Sequence, residues 1–160
     1  MDVGGGQGLL LATILQANPA MHGIVLERPW VVDGTRGLLQ TLGINNRATV
    51  EAGDFFAAVP RGDAYVLKSI VHDFDDETAA TILRTCRRAN PAARVLLVQE
   101  VIPPGNTPSV GKLLDLQMLL IGGRERTEAE YRSLYAAAGY ELTRVIPTAA
   151  PLHVIEGRPV

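Results

Sequence analysis

An α/β fold, with a mostly parallel sheet and helices on both faces, follows from three observations. Short runs of Ile, Val and Leu alternate almost without pause with helical patterns. Glycines crowd the turn after the first strand, and two strand-like segments close the chain with no helix between them. Parallel neighbours need a crossover, usually a helix, and that helix covers one face of the sheet. Two consecutive strands can pair directly, so the last two predict an antiparallel C-terminal hairpin at one edge. A chain of 160 residues suits one domain, which buries roughly two-thirds of its unfolded surface.

Gly6 to Ala17 reads as a helix that stops before Asn18-Pro19, because proline has no N–H with which to continue it. His22 to Glu27 is a strand rich in Ile24, Val25 and Leu26. Val31 to Leu42 is a helix closed by Gly43, and Ala48 to Ala52 is a short strand before Gly53-Asp54. Ala64 to Lys68 is the next strand. A helix over Asp76 to Ala89 opens on Asp75, Asp76 and Glu77, whose charges suit the positive end of its dipole. Arg94 to Glu100 is a buried-type strand around Val95-Leu96-Leu97-Val98. Pro103, Pro104 and Pro108 keep the following loop irregular. A markedly apolar helix, Val110 to Ile121, runs into Gly122-Gly123. Thr127 is the expected N-cap of a helix over Glu128 to Ala138, which Gly139 terminates. Glu141 to Ile146 and Leu152 to Glu156 are the closing strands.

The chain is 47% apolar and 20% charged, with a net charge of −2. That balance offers no field for a polyanion, so nucleic acid is not an expected partner. The one cysteine, Cys86, excludes an internal disulfide framework and falls in a helical pattern, where it reads as a small core residue. No signal peptide or membrane span is visible, and the default location is cytoplasmic. The helix from Val110 to Ile121 is more apolar than a domain this size requires, which predicts a cover from outside this chain.

In sheets of this kind ligands bind beyond the carboxyl ends of the strands, where the strand order reverses. The residues at those ends are Asp2-Val3-Gly4-Gly5-Gly6-Gln7-Gly8, then Glu27, then Asp54-Phe55-Phe56, then Lys68 to Asp73, and finally Glu100. Glycines permit the tight turn and the close approach of a ligand to the backbone. Glu27 stands where a carboxylate can accept both ribose hydroxyls of an adenosine. Asp54 and Phe55 would give the adenine ring a polar edge and an apolar wall. The expected ligand is therefore a nucleoside-bearing cofactor. Plainer readings stand beside these. The glycines could form an ordinary turn, Glu27 a solvated strand end paired to Arg28, and Asp54 a turn cap. His72 could cap the helix near Asp76, Met118 could be core filler, and Arg124-Glu125-Arg126 a charged surface loop. His22 and His153 read as structural or exposed.

Four segments carry a more specific likeness: Asp2-Val3-Gly4-Gly5-Gly6, Gly53-Asp54-Phe55-Phe56, Leu67 to Glu77 with its His72-Asp73-Phe74, and Gly122-Gly123-Arg124-Glu125-Arg126-Thr127. In this order they resemble the S-adenosylmethionine-dependent small-molecule O-methyltransferases, the group of the caffeate, flavonoid, acetylserotonin and polyketide-tailoring enzymes. The resemblance implies a Rossmann-like class I methyltransferase fold and S-adenosylmethionine as cofactor. It makes His72 the general base and Glu100 and Glu125 the acids that orient it, one of them bonded to the ring nitrogen away from the acceptor. Asp2, Gly4, Gly6, Glu27, Asp54, Phe55 and Lys68 fall at cofactor-contacting positions, and Asp115 and Met118 near the acceptor substrate. The implied reaction is methyl transfer to a hydroxyl of a small, aromatic molecule, without a metal.

The chain departs from that pattern in three places. Glu27-Arg28-Pro29 stands where the group usually has Asp-Leu-Pro, and Phe74 where tryptophan is commoner. Residues 1–160 are expected to form the cofactor-binding catalytic domain with a shortened first strand. The N-terminal domain through which such enzymes dimerise and close the acceptor pocket is expected to lie outside them. Three readings follow: the catalytic domain of a His-dependent O-methyltransferase, a cofactor-binding fragment or pseudoenzyme without turnover, and a nicotinamide-dependent oxidoreductase.

Overall fold

The computed structural model describes residues 1–160, and its elements follow the hydrophobic pattern closely. In chain order they are β1 (Asp2–Val3), α1 (Leu9–Ala17), β2 (Gly23–Glu27), α2 (Val32–Thr41), β3 (Ala48–Ala52), β4 (Ala64–Lys68), α3 (Asp76–Ala89), β5 (Arg94–Glu100), α4 (Val110–Met118), α5 (Glu128–Ala137), β6 (Tyr140–Pro147) and β7 (Leu152–Pro159). Short 3-10 turns at Val71–Asp73 and Leu119–Ile121 precede α3 and follow α4. The first helix begins later than its apolar pattern suggests, at Leu9, because Gly4, Gly6 and Gly8 all take positive φ and hold that stretch in turns. Thr127 makes a full capping box with Glu130, and Asp75 caps α3 through the Thr78 amide. His72 is therefore not the cap of α3.

The sheet order is β3-β2-β1-β4-β5-β7-β6. The first five are mutually parallel, and β7 runs antiparallel to both β5 and β6. The closing hairpin is thus folded back so that its second strand, not its first, joins the sheet. Chain order reverses between β1 and β4, and this places the ligand crevice beyond Val3 and Lys68.

Side chains alternate across the strands, so the core divides in two. On one face α3 and α5 lay Ile82, Leu83, Tyr131 and Tyr135 over Tyr65, Leu67, Val95 and Leu97. On the other, α1 and α2 lay Leu11, Leu15 and Leu39 over Val25. Cys86 is buried in the first core. The second face is lightly covered over β4 and β5, where Val66, Leu96 and Val98 are only half-buried. The apolar helix α4 buries one residue, Gly111, and exposes Val110, Leu113 and Leu116. No helix is long and apolar enough to cross a membrane.

Candidate active site

A cavity of about 460 Å³ opens at the switch point, lined by Asp2, Gly4, Gly5, Gly6, Gln7 and Lys68 together with residues of α1. Gly4 has φ +67°, which strains any side chain, and a Cβ there would also stand 2.6 Å from Ile70 Cδ1 and require that side chain to shift. A Cβ on Gly6 would point into open space. Asp2 is 2% exposed, and its Oδ2 has no hydrogen-bond partner. Burial pushes its carboxyl up to about 6. An orphaned, desolvated acid beside a backbone cradle is a place where a cationic ligand group would be stabilised.

Glu27 and Asp54 stand at the ends of the next two strands. Glu27 reaches back across the turn, where Oε2 accepts from the Gly6 amide at 2.8 Å and Oε1 from the Arg28 amide at 2.7 Å. Each oxygen keeps a second lone pair, enough for a pair of vicinal hydroxyls. The Arg28 guanidinium pairs not with Glu27 but with Asp54, at 2.9 Å, and lies 5.9 Å from the centre of the Phe55 ring. Asp54 also accepts from the Phe56 amide at 2.9 Å, so it does cap its own turn, and this bond and Arg28 hold its carboxyl below the usual range. Phe55 packs with Phe56 and Phe74, at centroid distances of 4.9 and 6.3 Å.

His72 sits in the 3-10 turn after β4. Its Nδ1 lies 2.8 Å from Glu125 Oε1, and Glu125 is 2% exposed. An ionised carboxylate can only accept, so Nδ1 carries the hydrogen and donates it. In the neutral ring Nε2 is then the acceptor. The nearest acid to Nε2 is Asp73, at 3.5 Å. The hydrogen bond to Glu125 raises the His72 pKa above its ordinary value, against the opposing effect of burial. Of the two acids expected beside the imidazole, Glu125 alone is bonded to it. Glu100 lies under α4, where a Cβ on Gly111 would stand 2.7 Å from its Oε1, and its buried Oε2 has no partner. Burial, then the charge of Glu125, raises the Glu100 pKa.

Asp115 turns out to be a support for this pair: its Oδ1 accepts from the Glu125 amide at 2.8 Å. Met118 is half-buried at the end of α4. Arg124-Glu125-Arg126 is not merely a surface loop, since Arg126 is fully buried. Gln99 is likewise buried. With its amide oxygen assigned to the side that faces donors, it accepts from the amides of Ser69, Ile70 and Val71 at 3.3, 3.0 and 3.3 Å. Sequence reasoning assigned neither residue a part in the site. Gln99 could have been noticed as the lone amide in an apolar strand. His153 has a buried Nδ1 without a partner and stands opposite Gln99 in the β5–β7 ladder.

The family model described as the O-methyltransferase domain matches residues 1–141. The chain belongs to this O-methyltransferase family. Among its relatives is the phenazine O-methyltransferase PhzM of Lysobacter antibioticus, 44% identical over all of this chain and 48% of the relative. Another is the 8-amino-8-demethylriboflavin N,N-dimethyltransferase of Streptomyces davaonensis, 38% identical over 98% of this chain and 46% of the relative. CalO1, a methyltransferase in calicheamicin biosynthesis solved in its SAH-bound form, superposes with a TM-score of 0.92 at 40% identity, over 99% of this chain and 48% of that one. NcsB1, from neocarzinostatin biosynthesis and solved with S-adenosylmethionine and 2-hydroxy-5-methyl naphthoic acid, gives 0.90 at 34%, over 99% and 48%. The chain spans about half the length of the relatives it matches. Within the O-methyltransferase family its fold is that of the class I methyltransferases.

Proposed function

We propose that residues 1–160 form the catalytic domain of an enzyme that moves a methyl group from S-adenosylmethionine to a hydroxyl of a small aromatic molecule, with His72 as general base. The observation that carries this reading is the His72–Glu125 pair, which in the neutral ring leaves Nε2 free to accept a proton. Family membership favours the sulfonium donor over nicotinamide. The residues present fit that donor. Asp2 and the glycine turn suit its ammonium and carboxylate end, Glu27 its ribose, and Asp54 with Phe55 its adenine. When bound, S-adenosylmethionine supplies an electrophilic methyl group on sulfur.

The chain's own part is to hold the acceptor and take its proton. A phenol has a pKa of about 10 and is a poor nucleophile at neutral pH. Nε2 of His72 accepts that proton, and Glu125 stabilises the imidazolium formed. The tautomer is fixed beforehand by the Nδ1–H bond. Positioning of the oxygen adds to this, since in-line transfer demands near-collinear atoms. A naphthoic acid bound by NcsB1 supports an aromatic acceptor here. The riboflavin N,N-dimethyltransferase shows that relatives also act on nitrogen, and the proton-accepting dyad favours oxygen for this chain.

The exposed face of α4 and the half-covered face of β4 and β5 fit a further domain that closes the acceptor pocket and joins two copies of the full-length protein. A cytoplasmic location accords with this chemistry. The test has two arms. Calorimetric titration with S-adenosylhomocysteine should give saturable binding and NAD none; the reverse would end the reading. In the full-length protein, methylation of a phenol panel should vanish in His72→Ala while S-adenosylhomocysteine binding persists. Binding without methylation of any phenol would favour a cofactor-binding module without turnover.

A further inference from the structure

The 3-10 turn that carries His72 is gripped from outside by one short segment, residues 123–126. Main-chain contacts come first. The Arg124 amide donates to the His72 carbonyl at 2.8 Å, and a Cβ on Gly123 would stand 2.1 Å from that same oxygen. Arg126 bridges Val101 in parallel just beyond the end of β5. Glu125 faces the His72 ring, 2.8 Å from Nδ1. Arg124 and Arg126 both turn the other way, onto Asp76 at 3.3 and 2.8 Å.

Arg126 does more than pair with Asp76. Its Nη1 donates to the Val71 carbonyl at 2.9 Å and the Arg124 carbonyl at 3.3 Å, and its Nη2 to the Phe74 carbonyl at 2.9 Å. Val71 and Phe74 flank His72 and Asp73. The Val71 carbonyl takes only a long bond of 3.4 Å from the Phe74 amide, the Phe74 carbonyl takes none from the backbone, and a poorly bonded buried acceptor is costly. A planar fork of fixed geometry bonds both at once along set directions, which a compact, rotatable lysine ammonium does not impose. The other end of the turn leaves Ser69 at φ +54° and is bonded by the Gln99 side chain. A strained entry of this kind persists only where its surroundings hold it.

We infer that Arg126 is a positioning residue for the proposed base: by clamping the carbonyls of Val71 and Phe74 it holds the His72 ring in line with Glu125 on the same segment. This rests on the reading of His72 given above. Base and orienting acid are thereby fixed by one rigid element, and movement of residues 123–126 displaces both together.

The test is an NMR titration of the His72 ring in the 160-residue chain, for wild type, Arg126→Lys, Arg126→Met and Asp76→Ala. The readout is ring geometry against Glu125, seen as the His72 midpoint. In Arg126→Met that midpoint should fall by about half a pH unit or more, toward the ordinary histidine value of about 6.5. Arg126→Lys should give a smaller fall in the same direction, and Asp76→Ala the smallest. S-adenosylhomocysteine affinity should stay within about twofold in each, since the glycine turn is untouched. A folded Arg126 variant whose His72 titrates as in wild type would overturn the inference. Should neither Arg126 variant fold, Asp76→Ala, altered at a half-exposed carboxylate, decides on the same readout, and an unchanged midpoint there overturns it. The titration uses neither donor nor acceptor. Failure here therefore leaves the proposed function standing, whereas absent S-adenosylhomocysteine binding in wild type would remove that and not the clamp.

Discussion

On the β1–β2 side of the crevice, the atoms that face a ligand are backbone and carboxylates tied to backbone. Gly6 leaves space, Glu27 bonds the Gly6 amide, and Asp54 bonds the Phe56 amide. On the β4–β5 side they are side chains buried among other side chains: His72 on Glu125, Glu125 propped by Asp115, and Arg126 beneath the turn. The contrast tracks the two proposed tasks. A diffusing nucleoside would have to enter and leave, which an open, pre-shaped site allows. A base would have to keep one tautomer and one direction, which the buried Glu125 bond to Nδ1 supplies.

Four measurements would break or sharpen that contrast. The largest effect should come from His72→Ala in the full-length protein. Loss of general-base catalysis lowers methyl transfer to phenols by about 10² to 10⁴-fold, and S-adenosylhomocysteine affinity should stay near wild type. A comparable loss of binding would merge the two sides into one functional unit. Glu27→Ala should do the opposite. It should weaken S-adenosylhomocysteine binding about tenfold, the loss expected from one charge-assisted hydrogen-bond acceptor. The His72 titration should not move.

The third measurement is a pH series. The His72 pKa is raised by its bond to Glu125. The stabilisation from protonated His72 is therefore fully present below the unfolded value of about 6.5 and is lost as pH rises through the folded value. Catalysis needs the neutral ring, so methylation should increase over the same interval. Thermal midpoints and initial rates measured together should run in opposite directions, and parallel trends would contradict the assignment. The smallest effect concerns Asp2. Its carboxyl is pushed up to about 6 by burial, so the domain loses stability as pH rises from about 4 through 6. A cationic ligand group lowers that pKa. Calorimetry of S-adenosylhomocysteine binding at pH near 6 in buffers of different ionisation heat should therefore show release of a fraction of a proton.

The periodic parts of the sequence were enough to order every strand and helix. Their signals are local: apolar runs of four or five residues, Pro19, Gly43, Gly139 and the Thr127 cap. The strand ends were legible for the same reason, since topology alone sends them to one rim. What escaped were contacts between distant segments. Arg126 reads as surface charge until the Val71 and Phe74 carbonyls, 55 and 52 residues earlier, are known to meet it. Asp115 carries no local sign that it will receive the Glu125 amide. Glu100 and Glu125 look equivalent in sequence, and only the fold bonds one of them to the imidazole. The insertion of β7 beside β5 was hidden too, because a hairpin pattern does not say which of its strands meets the sheet.

The distance along the chain between His72 and Glu125 bears on assembly as well. Their partnership closes a loop of 53 residues and depends on β5 and α5 having docked. Long-range closures of this sort are among the later events in folding. The part of the donor rim built from residues 2–54 pairs across shorter loops, Asp2 with Val25 and Glu27 with the Gly6 amide, and it can mature first. Hydrogen-exchange labelling during refolding should register two stages, with amides around Gly6 shielded before those around Arg124. A transient opening at the second stage would silence the imidazole and leave the nucleoside berth intact.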